Sequence, residues 1–167
     1  LMPGSITISP IFDLRSGEQY DFAISILGKA DQTPFPKIKC NHLLQLQFDD
    51  VVNSSDFFEA PALDDIKKII DFSLSWSGNG NLLIHCKAGT SRSPAAGMIA
   101  AMAIGKCDLA LKVGRGRPYF RPNKKMLQLA DNCFFGSGKH LSLIDLEASI
   151  QRIDKPTDVT AVTIVSC

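Results

Sequence analysis

Apolar and polar positions follow two rhythms along this chain. In "HLLQLQF", residues 42–48, Leu44, Leu46 and Phe48 alternate with Gln45 and Gln47, the period-two pattern of a strand with one covered face. "SITISP" (5–10) and "YDFAISILG" (20–28) read as two more short strands. "NLLIHC" (81–86) is apolar almost throughout, as a central strand buried on both faces would be. From Pro61 the rhythm turns helical. Leu63, Ile66, Ile69, Ile70 and Leu74 recur along one side, with Asp64, Asp65, Lys67 and Lys68 on the other. "SGNG" (77–80) stops that helix. Further on, Ser93 is the predicted N-cap and Pro94 a first-turn residue of a helix reaching Ile104. That helix has so few polar side chains that it must be buried. "DLALKV", "PNKKMLQLADNCFF" and "LSLIDLEASIQRI" complete the helical segments, with the basic turn "GRGRPYFRPN" between the first two. The closing "DKPTDVTAVTIVSC" reads either as a strand or as a loose tail.

This alternation of strands and helices predicts an α/β fold: a central, mainly parallel sheet flanked by helices, with helices on both sides. The length of 167 residues fits one domain spanning 1–167, of which 155–167 is the candidate loose tail. Apolar residues at 45% and charged residues at 21% are ordinary for a globular chain. A formal net charge of +1 points away from nucleic acid as a partner, so any attraction for anions must be local. No apolar run approaches the roughly 20 residues needed to span a bilayer, so stable membrane insertion is not expected. The N-terminus lacks the basic and apolar regions of a signal peptide. Five cysteines, at positions 40, 86, 107, 133 and 167, form no Cys-x-x-Cys pair, which argues against a disulfide framework or a zinc site. A reducing cytoplasm is the expected location, and neither a metal nor a cofactor is expected.

The chemistry concentrates in one loop. "HCKAGTSRSP" places a thiol at the end of the apolar strand and a guanidinium at the start of the buried helix. Between Cys86 and Arg92 lie Lys87, Ala88, Gly89, Thr90 and Ser91, four of them small. Such a strand-to-helix loop can turn successive backbone N–H groups inward as an anion nest, with the helix dipole adding partial positive charge. Gly89 can adopt the positive φ that a nest often needs. A thiol in that field is expected to be largely thiolate at neutral pH and therefore nucleophilic. Arg92 offers a planar fork of donors to a tetrahedral dianion.

"HCKAGTSRS" resembles the phosphate-binding loop of cysteine-dependent protein tyrosine phosphatases, above all the dual-specificity branch, whose form is His-Cys-x-x-Gly-x-Ser-Arg-Ser. Every fixed position matches. "HLLQLQFDD" and "RPNKKMLQLAD" also resemble bacterial phosphatases of this type, extending the similarity over roughly residues 5–145. The resemblance implies hydrolysis of a phosphate monoester in two steps. Cys86 would take the phosphoryl group, Arg92 and the loop amides of Lys87 to Arg92 would hold its charge, and water would release it. By position, Ser93 is the hydroxyl that helps the thiolate leave, and His85 orients the loop and helps acidify the cysteine. The implied substrate is a phosphorylated protein, with phosphotyrosine first and phosphoserine or phosphothreonine next, or a small phosphate ester.

The family also uses an aspartate on a loop some thirty to forty residues before the cysteine as the proton donor. Asp49, Asp50 and Asp56 fall in that range; Asp50 is preferred because "QLQFDD" resembles the family's strand followed by aspartate. Lys87 keeps a phosphoinositide or other non-protein phosphate open as an alternative, since lipid phosphatases of the superfamily carry "HCKAG". They also have a second lysine where this chain has Thr90. A catalytically silent phosphate-binding module is the other alternative. Arg115, Arg117, Arg121, Lys124 and Lys125 form a basic turn that reads first as solvated surface and second as a place an acidic or doubly phosphorylated substrate could meet. Asn123 matches a structural family position. His42 is expected to make a local hydrogen bond, His140 has no identifiable partner, and Cys40, Cys107 and Cys133 are expected to be packing residues. The sequence does not reveal the oligomeric state.

Overall fold

A computed structural model describes residues 4–134, 142–152 and 159–165. Its elements in chain order are β1 (Ser5–Pro10), β2 (Tyr20–Leu27), β3 (Cys40–Gln47), α1 (Leu63–Trp76), β4 (Asn81–Cys86), α2 (Arg92–Ala103), α3 (Cys107–Gly114), α4 (Lys124–Phe134), α5 (Leu143–Ala148) and β5 (Val162–Val165). The strands form one sheet in the order β3-β2-β4-β1-β5. β1 to β4 run parallel, and β5 closes one edge antiparallel to β1. The expected mainly parallel sheet flanked by helices is therefore present. The closing segment contributes a strand; most of the rest of it, like His140, lies outside the described residues.

Period-two geometry decides how the sheet is covered. Ile6 and Ile8, Phe22, Ile24 and Ile26, Leu44 and Leu46, and Leu82, Ile84 and Cys86 align across the register on one face. They join one core with Ile66, Ile69 and Trp76 of α1, nearly all of α2, Leu109 and Val113 of α3, Met126 and Leu127 of α4, and Leu143 of α5. All five helices thus bury against the same face. A second, smaller cluster holds Tyr20, Ala23 and Leu83, packed by Leu14, Ile38 and Cys40. This corrects the expectation of helices on both sides. The segments joining β1 to β2 and β2 to β3 hold only short 3₁₀ turns, Ile11–Asp13 and Lys29–Asp31, so among the described residues no helix covers the second face.

Helix α1 buries Ile66, Ile69, Ser73 and Trp76. Leu63 and Leu74, expected on that face, are 42% and 52% exposed. At roughly 100° per residue both fall to one side of the 66-69-73-76 stripe. Helix α2 is buried from Arg92 to Met102, as its lack of polar side chains requires. Its N-cap is Ser91 and not Ser93, so Ser93 and Pro94 both lie in the first turn. Among the described residues no helix is long and apolar enough to cross a membrane.

Candidate active site

The central strand β4 delivers Cys86 to the carboxyl end of the parallel sheet, and residues 87–91 carry the chain into α2. Three carbonyls of this loop face outward. Ile11 N–H donates to the Lys87 carbonyl (3.1 Å), Arg121 N–H to that of Thr90 (2.8 Å) and Asn123 N–H to that of Ser91 (3.2 Å). Because a trans peptide sets its N–H opposite its C=O, the amides of Ala88, Ser91 and Arg92 point away from those neighbours. The Gly89 amide donates to Cys86 Sγ at 3.2 Å. Gly89 itself has φ +72°, and a Cβ there would lie 2.4 Å from the Pro10 nitrogen. Only glycine lets the loop close this tightly on the end of β1.

Cys86 is 2% exposed and stands 3.2 Å from the Ser93 hydroxyl, which is fully buried. That contact explains why Ser93 does not cap the helix: its side chain faces the thiol from the first turn. Behind the loop, His85 Nδ1 lies 3.3 Å from the Cys86 carbonyl and Nε2 meets the Ser25 hydroxyl. A carbonyl can only accept, so Nδ1 carries the proton and Nε2 accepts from Ser25. Burial, with the Arg92 charge adding to it, drives the His85 pKa down to about 4, so the ring is neutral and holds the end of β4 as a fixed donor.

Arg92, 4% exposed, is clamped along one edge. Nη1 donates to Asp31 Oδ2 (2.8 Å) and to the Phe48 carbonyl (2.9 Å), while Nη2 donates to Asp31 Oδ1 (3.1 Å). Of the five guanidinium N–H groups these contacts use three. The two that remain, Nε–H and one on Nη2, form the side fork that suits two oxygens of a phosphate. Nε is buried with no partner among the described residues. Burial works against the charge, but the bonds to Asp31 and the fields of Cys86 and Asp50 outweigh it and raise the Arg92 pKa. Burial alone would raise the Asp31 pKa; the Arg92 bonds, the Gly28 amide at 2.7 Å and the charge of Lys87 bring it below the ordinary carboxylate value.

Asp31 was not legible beforehand as a site residue. Neither was Thr33, which accepts from Lys87 Nζ and donates to the Asp31 carbonyl at 2.9 Å. Lys87 thus ties the β2–β3 connection to the loop.

The three aspartates separate clearly. Asp49 is 3% exposed, and its two oxygens accept from the amides of Ala30 (2.9 Å) and Glu59 (2.8 Å), pinning two connections together. Asp50 is exposed at the lip of the loop, with Oδ1 accepting from Ser91 Oγ (2.7 Å) and Asn123 Nδ2 (2.9 Å). Asp56 is exposed further along the same connection. Asn123 acts as a hub: besides Asp50, its Nδ2 donates to the Val51 carbonyl (3.2 Å), and its Oδ1 accepts the Met126 amide at 3.0 Å in the first turn of α4. A cleft of about 580 Å³ runs along this lip, lined by Asp50, Val51, Ser91, Arg121, Asn123 and Lys124 among others.

Other candidates resolve into structure. Arg117 Nη2 donates to the Ala161 carbonyl (3.1 Å), and Tyr119 Oη accepts from the Thr160 amide (3.2 Å), so this part of the basic turn holds the segment leading into β5. His42 stacks on Phe22 with ring centroids 4.6 Å apart. Cys40, Cys107 and Cys133 are partly buried and pack against the cores.

No family model matches the chain, and no curated protein does. Solved structures share its fold. DUSP15 superimposes with a TM-score of 0.53 at 20% identity, covering 90% of this chain and 99% of its own. Human DUSP28 gives 0.50 at 17% identity, covering 70% of this chain and 78% of its own. The chain has the fold of the dual-specificity phosphatases. The likeness extends over nearly all of DUSP15.

Proposed function

We propose that this protein hydrolyses phosphate monoesters through a cysteinyl-phosphate, with phosphotyrosine in proteins as its first substrate class and phosphoserine or phosphothreonine as its second. The observation that carries this reading is that Cys86 Sγ, bonded by the Gly89 amide, and the unused side fork of Arg92 stand at the two ends of one loop, within each other's field. Sulfur attacks phosphorus in line as the ester P–O bond breaks. The non-bridging oxygens rest on the side fork and on the inward amides, a preorganised arrangement that stabilises charge as it develops. Asp50 protonates the leaving oxygen. Its Oδ1 already accepts two hydrogen bonds, which leaves Oδ2 to carry the proton. Water then attacks the phosphorus and gives its proton to Asp50. The S–P bond breaks with the Ser93 hydroxyl donating to the departing thiolate.

The silent-module alternative is disfavoured because the nucleophile, its hydroxyl partner, the anion fork and a carboxylate stand together. Lys87 gives the lipid alternative no special support, since its ammonium is engaged by Thr33. Vanadate-sensitive release of p-nitrophenol from its phosphate, abolished in Cys86→Ser, tests the activity. A panel of phosphopeptides and phosphoinositides tests the substrate class, and turnover of the lipids alone would overturn the protein reading.

A further inference from the structure

A second buried guanidinium lies outside this site. Arg152 follows α5, and its side chain is 9% exposed. Its bond to Glu147 is long, Nη2 to Oε1 at 3.4 Å. Nε and Nη1 are buried with no partner among the described residues. Buried donors are normally satisfied, and an arginine with two orphaned N–H-bearing nitrogens is the arrangement that an absent anion would complete. The surroundings are built to hold Arg152 there. Gly114 at the end of α3 leaves space for Ile150, whose Cδ1 would lie 2.8 Å from a Cβ at that glycine. Ile150 is thereby seated against α3.

The same residues line a cleft of about 440 Å³: Arg115, Pro118, Ser149, Ile150, Gln151 and Arg152. None of these described lining residues is acidic. Burial lowers the Arg152 pKa; Glu147 offsets only part of this, and the positive charge of Arg121 adds a smaller push in the same direction as burial. Arg115 and Arg152 therefore share one cleft, and the positive field of Arg121 reaches Arg152. The active-site loop is a neighbour, because the Arg121 amide binds the Thr90 carbonyl at 2.8 Å.

We infer that Arg152 and Arg115 form a second anion-binding site, taking a phosphate group in the cleft between the turn after α3 and the end of α5. Two guanidiniums line this cleft, and a phosphate, with more acceptor oxygens and more charge than a carboxylate, can engage both. The cleft is within the size range of small-ligand sites, so the phosphate can be free or carried on a larger molecule. This site does not depend on Cys86 chemistry.

The test uses the full chain carrying Arg92→Ala, which disables the first anion site, with arginine side chains labelled for NMR. Inorganic phosphate is titrated, with acetate in a parallel arm. Saturable movement of the Arg152 Nε–H signal by phosphate, at lower concentration than by acetate, is expected. Adding Arg115→Ala, an exposed substitution that spares the fold, should weaken phosphate by about tenfold, the effect of losing one charge-assisted hydrogen bond. Arg152→Gln should abolish the saturable response, read from the Arg115 side chain. No saturable response, or one indifferent to Arg115→Ala, overturns the site; tighter binding of acetate overturns the phosphate assignment. A phosphorylated peptide competing more strongly than free phosphate identifies a carried group as the ligand, and equal competition identifies the free ion.

Discussion

Replacing Asp31 with alanine removes the carboxylate that orients Arg92 while leaving every atom of the 86–92 loop in place. The bidentate contact has distances of 2.8 and 3.1 Å between side chains 4% and 14% exposed. Deleting one partner of a buried pair strands the other charge, at about 3–5 kcal/mol. Partial exposure of Asp31 puts the effect near the lower end, about 3 kcal/mol. Asp31→Asn should lose less, because an amide still accepts one bond from the fork. Catalysis should suffer separately. Without its end-on clamp Arg92 keeps only the Phe48 carbonyl, and misplacing a catalytic group by about 1 Å can cost 10²-fold. Steady-state hydrolysis of p-nitrophenyl phosphate should show kcat/KM falling about 10²-fold, with weaker vanadate inhibition, and urea unfolding should show a lower midpoint. The pH dependence carries a sign. Asp31 is held below its ordinary pKa, so its stabilisation is complete above the unfolded value and fades only as pH falls through the lower, folded one. Asp31→Ala should lack that acid-side slope. Unchanged kcat/KM and midpoint would refute the claim that Asp31 sets the Arg92 fork.

Asp50→Asn should reduce turnover of phenyl and alkyl phosphates by about 10²–10⁴-fold and spare p-nitrophenyl phosphate more, whereas Asp49→Asn should chiefly lower the unfolding midpoint. The opposite assignment would follow if Asp49→Asn alone showed the leaving-group dependence. His85, with its pKa brought to about 4, binds fewer protons folded than unfolded between there and pH 6.5, so stability should fall as pH drops across that window, by up to about 3 kcal/mol. Thermal denaturation of wild type against His85→Asn checks this, the variant losing the slope. Gly89→Ala should cost about 1–3 kcal/mol of local strain and disable turnover with far-ultraviolet circular dichroism unchanged, since the loop can no longer close on Pro10.

Local patterns carried the architecture well. The alternation at Leu44, Leu46 and Phe48, the apolar run of β4 and the bland surface of α2 each state their own burial. Where the outcome depended on distant partners, the same patterns fell short. Leu63 and Leu74 are apolar at near-helical spacing, yet only the neighbours of α1 decide which part of the stripe is covered. Ser93 followed by Pro94 looks like a helix start, but its hydroxyl is drawn to a thiol seven residues earlier and the helix begins at Arg92. Asp31 sits in an ordinary polar turn 61 residues from Arg92, and nothing local distinguishes it from a solvated aspartate. Gly28 preceding it by three residues signals a turn, not an ion pair. The choice between Asp49 and Asp50 rested on family likeness, while their surroundings differ sharply: one is locked between two amides, the other stands at the lip.

The central claim is that phosphate passes through sulfur. Rapid acid quench during turnover of a radiolabelled phosphate ester, followed by peptide mapping, measures this directly. Label on Cys86 is predicted in the wild-type chain, at higher occupancy in Ser93→Ala because thiolate departure is slowed, and none in Cys86→Ser. Product release at the normal rate with no label on Cys86, or turnover that survives Cys86→Ser, would contradict the account.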